Sequence, residues 1–340
     1  MDNKLWTYFI YLGQHMWSDA YTPAGRFPAA AGGGAFKNDL ITDDKVFRRI
    51  IDQLPSFGIN AVLVDVGEGL AYQSHPELSI RGSWSHEKLR EELAHMREIG
   101  LEPFPKLNLS ACHDAWLGEY AYMLSTDTYY GVVRDVIEEV AEVFDHPRMF
   151  HLGMDEEDYD SHGTGMSTIR CDDLWWHDLY FYFDEVEKHG ARPWIWSDYY
   201  WNHPTDFEKK MPKECVQSNW YYDPMLPKGA NGRYPQKGFQ TYVDFARMGY
   251  DQIPTSCDWR CRQGLAQTMW LFLEEGIADE HMLGMMAAPW MSNVESLFYG
   301  QMNNANRLKY ARDMYYEYTP ERHREMCDRM EFGLFSEKVI

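Results

Sequence analysis

Two adjacent carboxylates, Asp155 and Glu156, stand in the stretch HLGMDEED at positions 151–158. The run before them, Met149–Asp155 (MFHLGMD), reads as a β-strand. Side chains alternate along a strand, so His151, Gly153 and Asp155 share one face and Phe150, Leu152 and Met154 share the apolar other. The polar face points inward, with Asp155 at its end and Glu156 just beyond, where the chain turns out. Two carboxylates presented on different faces can divide the work of acid catalysis. One stays ionised while a drier pocket raises the pKa of the other. An acidic loop such as DEEDYD is commonly just solvated, so the position directly after a His-x-Gly strand is what singles out this pair.

A strand that ends in chemistry needs neighbours. Eight apolar runs can be read as strands: Leu5–Gly13, Ala61–Gly67, Leu101–Leu109, Met149–Asp155, Arg192–Asp198, Cys215–Trp220, Gln252–Ser256 and Leu283–Trp290. Helical patterns lie between them, such as DDKVFRRIIDQLPSFG, SHEKLREELAHMREIG, TYYGVVRDVIEEVAEVF and DDLWWHDLYFYFDEVEKHG. Thr42 with Asp43 and Asp44 opens the first and Gly58 closes it; Ser85 opens the second and Gly100 closes it; Gly190 closes the fourth. Hydroxyl and acidic caps satisfy free amides, and a C-terminal glycine accepts the left-handed conformation. A helix after each short strand implies a parallel sheet, and eight such units imply an α/β fold of the (β/α)8 TIM-barrel type. A doubly wound open sheet is the rival. It calls for a glycine-rich phosphate loop directly after the first strand, and Gly32–Gly34 comes about 20 residues too late for that fingerprint. The whole chain, 1–340, is read as one barrel, with terminal helices from about 293 that include Val294–Tyr316 and Glu321–Phe332. Those helices either close the last helical layer or form the surface of a homo-oligomer.

The stretch HLGMDEE resembles the His-x-Gly-Gly-Asp-Glu signature of family 20 glycoside hydrolases, the β-N-acetylhexosaminidases. The run Val64–Leu109 is similar to that family's second strand, its following loop, the next helix and the third strand. His75-Pro76-Glu77-Leu78 and Arg81-Gly82-Ser83-Trp84-Ser85 carry the match. The fifth, sixth and eighth strands, with WIWSD, SNW and a terminal Trp290, look like the family's aromatic-lined strands. The resemblance spans the barrel in family order. It implies retaining, substrate-assisted cleavage of terminal β-linked 2-acetamido sugars, in which the acetamido oxygen attacks the anomeric carbon. Asp155 would orient the acetamido group, and Glu156 would protonate the leaving oxygen and then activate water. No metal or organic cofactor is implied.

Five departures from the family pattern stand out. Met154 replaces the second glycine of the signature, on the helix-facing side by alternation. The third strand reads Pro105-Lys106-Leu107-Asn108 and then Ser110-Ala111-Cys112-His113, where the family has Pro-Glu-x-Asp and Pro-Gly-His. Lys106 reverses an inward charge and could pair with Asp65 or Asp155, or bind an acidic substrate group. The family's first-strand arginine is missing; Gln14, His15, Trp17 and Asp19 stand nearby. The second strand lacks a His-x-His and keeps Asp65, and the α+β domain that usually precedes the barrel is not in this sequence. A barrel glycosidase with altered specificity, for a sugar without the acetamido group or with an anionic one, is therefore the alternative. A non-catalytic sugar-binding barrel is the third reading, against which an intact acid pair argues.

Further candidates for substrate binding sit at predicted strand ends: Trp196 and Asp198, Trp220 and Tyr222, Asp258 and Trp259, and Trp290. Each tryptophan taken singly is as well explained by packing; gathered at the C-terminal ends of strands they suit a sugar. His113 could support Asp155 or Glu156 by hydrogen bonding, with a satisfied structural histidine as the equal alternative. His151 is expected to pack in the lower barrel. No His-Glu-x-x-His or Gly-x-Ser-x-Gly pattern occurs, so neither a zinc hydrolase nor a serine hydrolase is supported.

Composition agrees. Aromatics make up 16% of the chain, with 13 Trp and 23 Tyr, more than a core needs and apt for a carbohydrate partner. The net charge of −21 argues against nucleic acid and anionic membrane as partners. The six cysteines are scattered, so free thiols in a reducing compartment are expected; Cys257 and Cys261 have no second pair with which to hold zinc. The N-terminal apolar stretch is too short for a membrane span and has no cleavage pattern, so a cytoplasmic chain is expected unless a signal peptide was removed.

Overall fold

The structure is a computed structural model that describes residues 4–15, 38–157 and 170–319. Gly32–Gly34, Trp17, Asp19, Cys327 and the expected helix Glu321–Phe332 lie outside the described residues.

The eight strands are β1 (Leu5–Tyr11), β2 (Ala61–Asp65), β3 (Glu102–Lys106), β4 (Met149–His151), β5 (Arg192–Trp196), β6 (Val216–Ser218), β7 (Thr255–Ser256) and β8 (Gly284–Ala287). All run parallel in the order β6-β5-β4-β3-β2-β1-β8-β7. Bridges from Gln217 to Gln252 and from Trp220 to Thr255 join the two ends, so the sheet is a nearly closed barrel. Each strand lies within its expected run; β7 ends with its run at Ser256 but starts later, and the other seven stop earlier, because their expected ends belong to loops at the barrel mouth.

The helices are α1 (Asp44–Gln53), α2 (His86–Glu98), α3 (Asp127–Val143), α4 (Asp172–Lys188), α5 (Tyr199–Asn202), α6 (Pro204–Lys210), α7 (Lys237–Met248), α8 (Gly264–Glu274) and α9 (Phe298–Tyr316). Asp43 caps α1 by accepting from the amides of Lys45 and Val46, and Ser85 caps α2 by accepting from Lys88. One expected helix divides: Pro55 turns residues Leu54–Phe57 into a 3-10 turn that Gly58 ends at φ 72°.

Alternation along the strands splits the core in two. Along β1, Trp6, Tyr8 and Ile10 pack outward under the helices. Leu5, Phe9 and Tyr11 point inward, beside Phe104, Trp194, Trp196 and Trp290. The last described helix, α9, packs against α8 and α1 and so bridges the last and first helices of the ring. The buried Tyr8 hydroxyl donates to Gln301 of α9. No helix among the described residues is long and apolar enough to cross a membrane. No disulfide joins the five described cysteines.

Candidate active site

The chemistry gathers where β4 ends. Strand pairing stops at His151, and then three of four positions turn left-handed: Gly153 at φ 74°, Met154 at 75° and Glu156 at 59°. Alternation therefore does not run on to Asp155 as expected; a tight turn, not a pleat, places both carboxylates at the mouth. Backbone bonds hold this turn to both neighbours. Leu109 donates to the carbonyl of Leu152, and Trp196 donates to that of Gly153. Only glycine fits at 153, since a Cβ there would run into the Asn108 carboxamide. Met154 does face the helices, where its sulfur lies 3.8 Å from the guanidinium of Arg170.

The three consecutive carboxylates have three different settings. Asp155 is buried; its Oδ1 accepts from Asn108 Nδ2 at 3.0 Å, and its Oδ2 lies 3.4 Å from His113 Nε2. The Glu156 side chain is 37% exposed, open to a ligand, and its Oε2 lies 3.0 Å from the same nitrogen of His113. Glu157 turns away into a fully buried ion pair with Arg170 and accepts the amide of Ala111. Arg170 also meets Asp178, at 3.0 Å, and the carbonyl of Leu109. Sequence reading missed Arg170; its one signal was a lone arginine shortly after an acidic run.

Behind this pair stands Asp198, beyond the end of β5. Its Oδ2 accepts the backbone N–H of Glu156 at 2.8 Å and its Oδ1 accepts the indole N–H of Trp220 at 3.1 Å. Burial, and after it the negative charge of Asp155, push the Asp198 carboxyl up to about 8.

The mouth opens on a cavity of about 340 Å³. Asp155, Glu156, Trp196, Trp220, Tyr222, Trp259 and Trp290 line it, all of them singled out in the sequence. Trp201, Tyr221, Asp223 and Arg260 line it too and were not. Trp201 sits on the short helix α5, and Tyr221, Asp223 and Arg260 sit on the loops after β6 and β7, where no periodicity marks an inward position. The rings of Trp220 and Tyr222 stack with centroids 5.2 Å apart, and Trp290 donates its indole N–H to the Tyr222 hydroxyl at 3.0 Å. Trp259 is 47% exposed at the rim, beside an ion pair of Arg260 with Asp223 at 3.0 Å.

Three expected site residues lie outside this wall. His113 touches the two carboxylates and Asp198 the backbone of Glu156, rather than the cavity. Asp258 is bound to α9: it accepts from Asn304 Nδ2 at 2.8 Å and pairs with Arg307.

The ends of β1, β2 and β3 carry the departures from the family pattern. Lys106, fully buried, donates to Asp65 at 2.5 Å, so it is not presented to an acidic substrate group. Burial, opposed by Lys106, brings the Asp65 carboxyl to about 6. His151 is buried against Trp194 and Trp196; burial first and Lys106 second hold its pKa well below the usual value. At the end of β1 the backbone amides of Gln14 and His15 donate to the buried Glu68, which burial pushes up to about 7. Gln14 Oε1 accepts from Ser292 at 2.9 Å.

His113, Asp155 and Glu156 are also the described side chains whose ligand atoms converge, within 4.8 Å, as a cation would need. Their mutual hydrogen bonds account for that convergence, and the neutral carboxamide of Asn108 completes the set.

No protein-family model matches the sequence, and comparison with curated proteins found no match. Solved structures do match. A β-N-acetylhexosaminidase from Bacteroides fragilis NCTC 9343 superposes with a TM-score of 0.59 at 14% identity, over 89% of this chain and 65% of that one. A family 20 exo-β-N-acetylglucosaminidase from Vibrio harveyi gives 0.55 at 12% identity, over 90% of this chain and 54% of that one. A further family 20 β-N-acetylglucosaminidase gives 0.57 at 13%, over 91% of this chain and 70% of that one. The chain thus spans 65% and 54% of the length of the first two. The likeness is one of fold: the chain has the (β/α)8 barrel seen in these family 20 glycoside hydrolases.

Proposed function

We propose that this protein is a retaining exo-glycoside hydrolase that removes terminal β-linked 2-acetamido sugars. The observation that carries the reading is the Asp155–Glu156 pair at the barrel mouth, opening on a cavity walled by Trp196, Trp220, Tyr222 and Trp290. Flat aromatic faces suit the C–H faces of a pyranose. Trp196 and Trp290 are buried at the inner end, which suits a terminal unit over an internal one. The substrate's acetamido oxygen bonds to the anomeric carbon as the glycosidic C–O bond breaks. Asp155, held by Asn108 and His113, orients the acetamido group and stabilises the positive charge that develops on it. Glu156 gives its proton to the leaving oxygen, then takes one from the water that opens the cyclic intermediate. No enzyme atom bonds to the sugar, an exception to the usual two-carboxylate retaining scheme. The reading needs no cofactor, takes the chain as one catalytic barrel, and puts it in the cytoplasm because its six cysteines are scattered along the sequence rather than spaced as a disulfide framework.

The test is a pair of aryl β-glycosides, one 2-acetamido-2-deoxy and one with a plain 2-hydroxyl, given to the wild type and Asp155→Asn. Cleavage of the acetamido substrate alone, lost in the variant, is the expected result; cleavage of the plain glycoside by both proteins would overturn it. A changed sugar is the second reading. It rests on the end of β1, where Gln14 stands bonded to Ser292 and none of the described residues that follow the strand, 12–15, is an arginine. An anionic sugar loses its support with Lys106 committed to Asp65.

A further inference from the structure

We propose that Asp198 is a positioning residue for the acid step: it ties the backbone of Glu156 to the indole of Trp220, so that proton donor and sugar wall keep one fixed relation. The inference rests on the functional reading above, in which Glu156 is the acid.

A strand-end carboxylate in a sugar cleft is first read as a ligand for a hydroxyl group. The geometry speaks against that here. Asp198 is buried, lies outside the cavity wall, and spends one oxygen on each of two protein donors. Those donors are the backbone of the acid and a lining residue of the cavity.

Glu156 needs such a tie. Its φ of 59° is left-handed, a conformation disfavoured by about 1–2 kcal/mol for a residue with a Cβ. A buried hydrogen bond from its N–H to the Asp198 carboxyl offsets a penalty of that size. The other held points of Glu156 are its carbonyl, which accepts from Cys112 Sγ, and its carboxylate, which meets His113. The peptide between Asp155 and Glu156 is held at its carbonyl by the Ser110 hydroxyl and at its N–H by Asp198; loss of Asp198 releases the N–H end, and a tilt of that peptide swings the acid away from the leaving oxygen. A misplacement of about 1 Å can lower a rate by about a hundredfold. At its far end Asp198 holds Trp220, whose ring stacks on Tyr222 and touches Trp201 at 4.7 Å between centroids. The tie thus joins the turn after β4 to the loop after β6 across the end of β5.

Leaving-group dependence tests this. A 2,4-dinitrophenyl glycoside departs without a proton, whereas a methyl glycoside of the same 2-acetamido sugar needs one. The quantity read is kcat/KM for each in the wild type, Glu156→Gln, Asp198→Asn and Trp220→Phe. Glu156→Gln should lower the methyl glycoside by about a hundredfold or more and spare the dinitrophenyl glycoside. Asp198→Asn should follow the same pattern, with at least about a tenfold loss on the methyl glycoside and less than about threefold on the other. Trp220→Phe, which cuts the far end of the tie, should shift the ratio of the two substrates in the same direction and keeps the test open should Asp198→Asn fail to fold. Equal losses on both substrates in Asp198→Asn and Trp220→Phe, with Glu156→Gln behaving as expected, would overturn the positioning role alone. An unchanged ratio in Glu156→Gln would overturn the acid assignment and this inference with it.

Discussion

Asn108 donates its Nδ2–H to Asp155 Oδ1 at 3.0 Å, while its own Oδ1 accepts the amide of Ser110 at 3.1 Å and fills the space that a Cβ on Gly153 would take. One fully buried carboxamide thus orients the carboxylate and shapes the turn that presents it.

Asn108→Ala removes the donor and leaves His113 as the side chain beside Asp155. Loss of one such buried hydrogen bond should lower stability by about 1–3 kcal/mol. It should also lower kcat/KM on the acetamido substrate by about tenfold or more through misorientation. Denaturant unfolding and steady-state kinetics read the two effects separately, and unchanged kinetics would show that Asp155 is held by other groups.

Arg170 is buried between Glu157 and Asp178. Arg170→Met leaves two buried carboxylates without their cation, and breaking a buried pair in this way costs about 3–5 kcal/mol. The loss should appear as a lower denaturant midpoint. The removal of the partners together, in Arg170→Met with Glu157→Gln and Asp178→Asn, should restore most of it.

Met154→Gly brings the turn closer to the family signature and relieves a φ of 75°, worth about 1–2 kcal/mol. It also deletes a fully buried side chain from the helix-facing core, which costs about 2–5 kcal/mol. The packing loss is the larger, so the variant should be destabilised by about 1–3 kcal/mol in chemical denaturation. A stabilised variant would show that strain, not packing, dominates at this turn.

Glu68 has its pKa raised by burial, from an ordinary 4.5 to about 7. A carboxyl raised in the folded state binds more protons folded than unfolded. Its contribution to stability is full below about pH 4.5 and is lost as pH rises through about 7. Glu68→Gln does not titrate. The advantage of the wild type over this variant should therefore be larger at pH 5 than at pH 8 when Tm is measured at both. A constant difference would mean that Glu68 keeps its proton, or its charge, across the whole range.

The barrel was legible because alternation and helix punctuation are local. Asp43, Ser85 and Gly58 act on their own neighbours, and apolar residues at every second strand position bury one face wherever the strand ends up. Adjacency made Asp155 and Glu156 legible too, since no fold can separate consecutive residues. The roles of the groups around them were not local. Lys106 had three partners open to it, and only barrel closure, which sets β3 beside β2 in register, brought it to Asp65. Asp258 stood at a strand end like any binding residue until α9 returned to take it. Asp198 and Glu156 are far apart in sequence and meet because β4 and β5 are paired neighbours whose ends share one mouth. Periodicity, caps and adjacent carboxylates act over a few residues, so the chain alone carries them. Who holds whom inside the barrel depends on contacts between distant segments, and those exist only once the strands have closed.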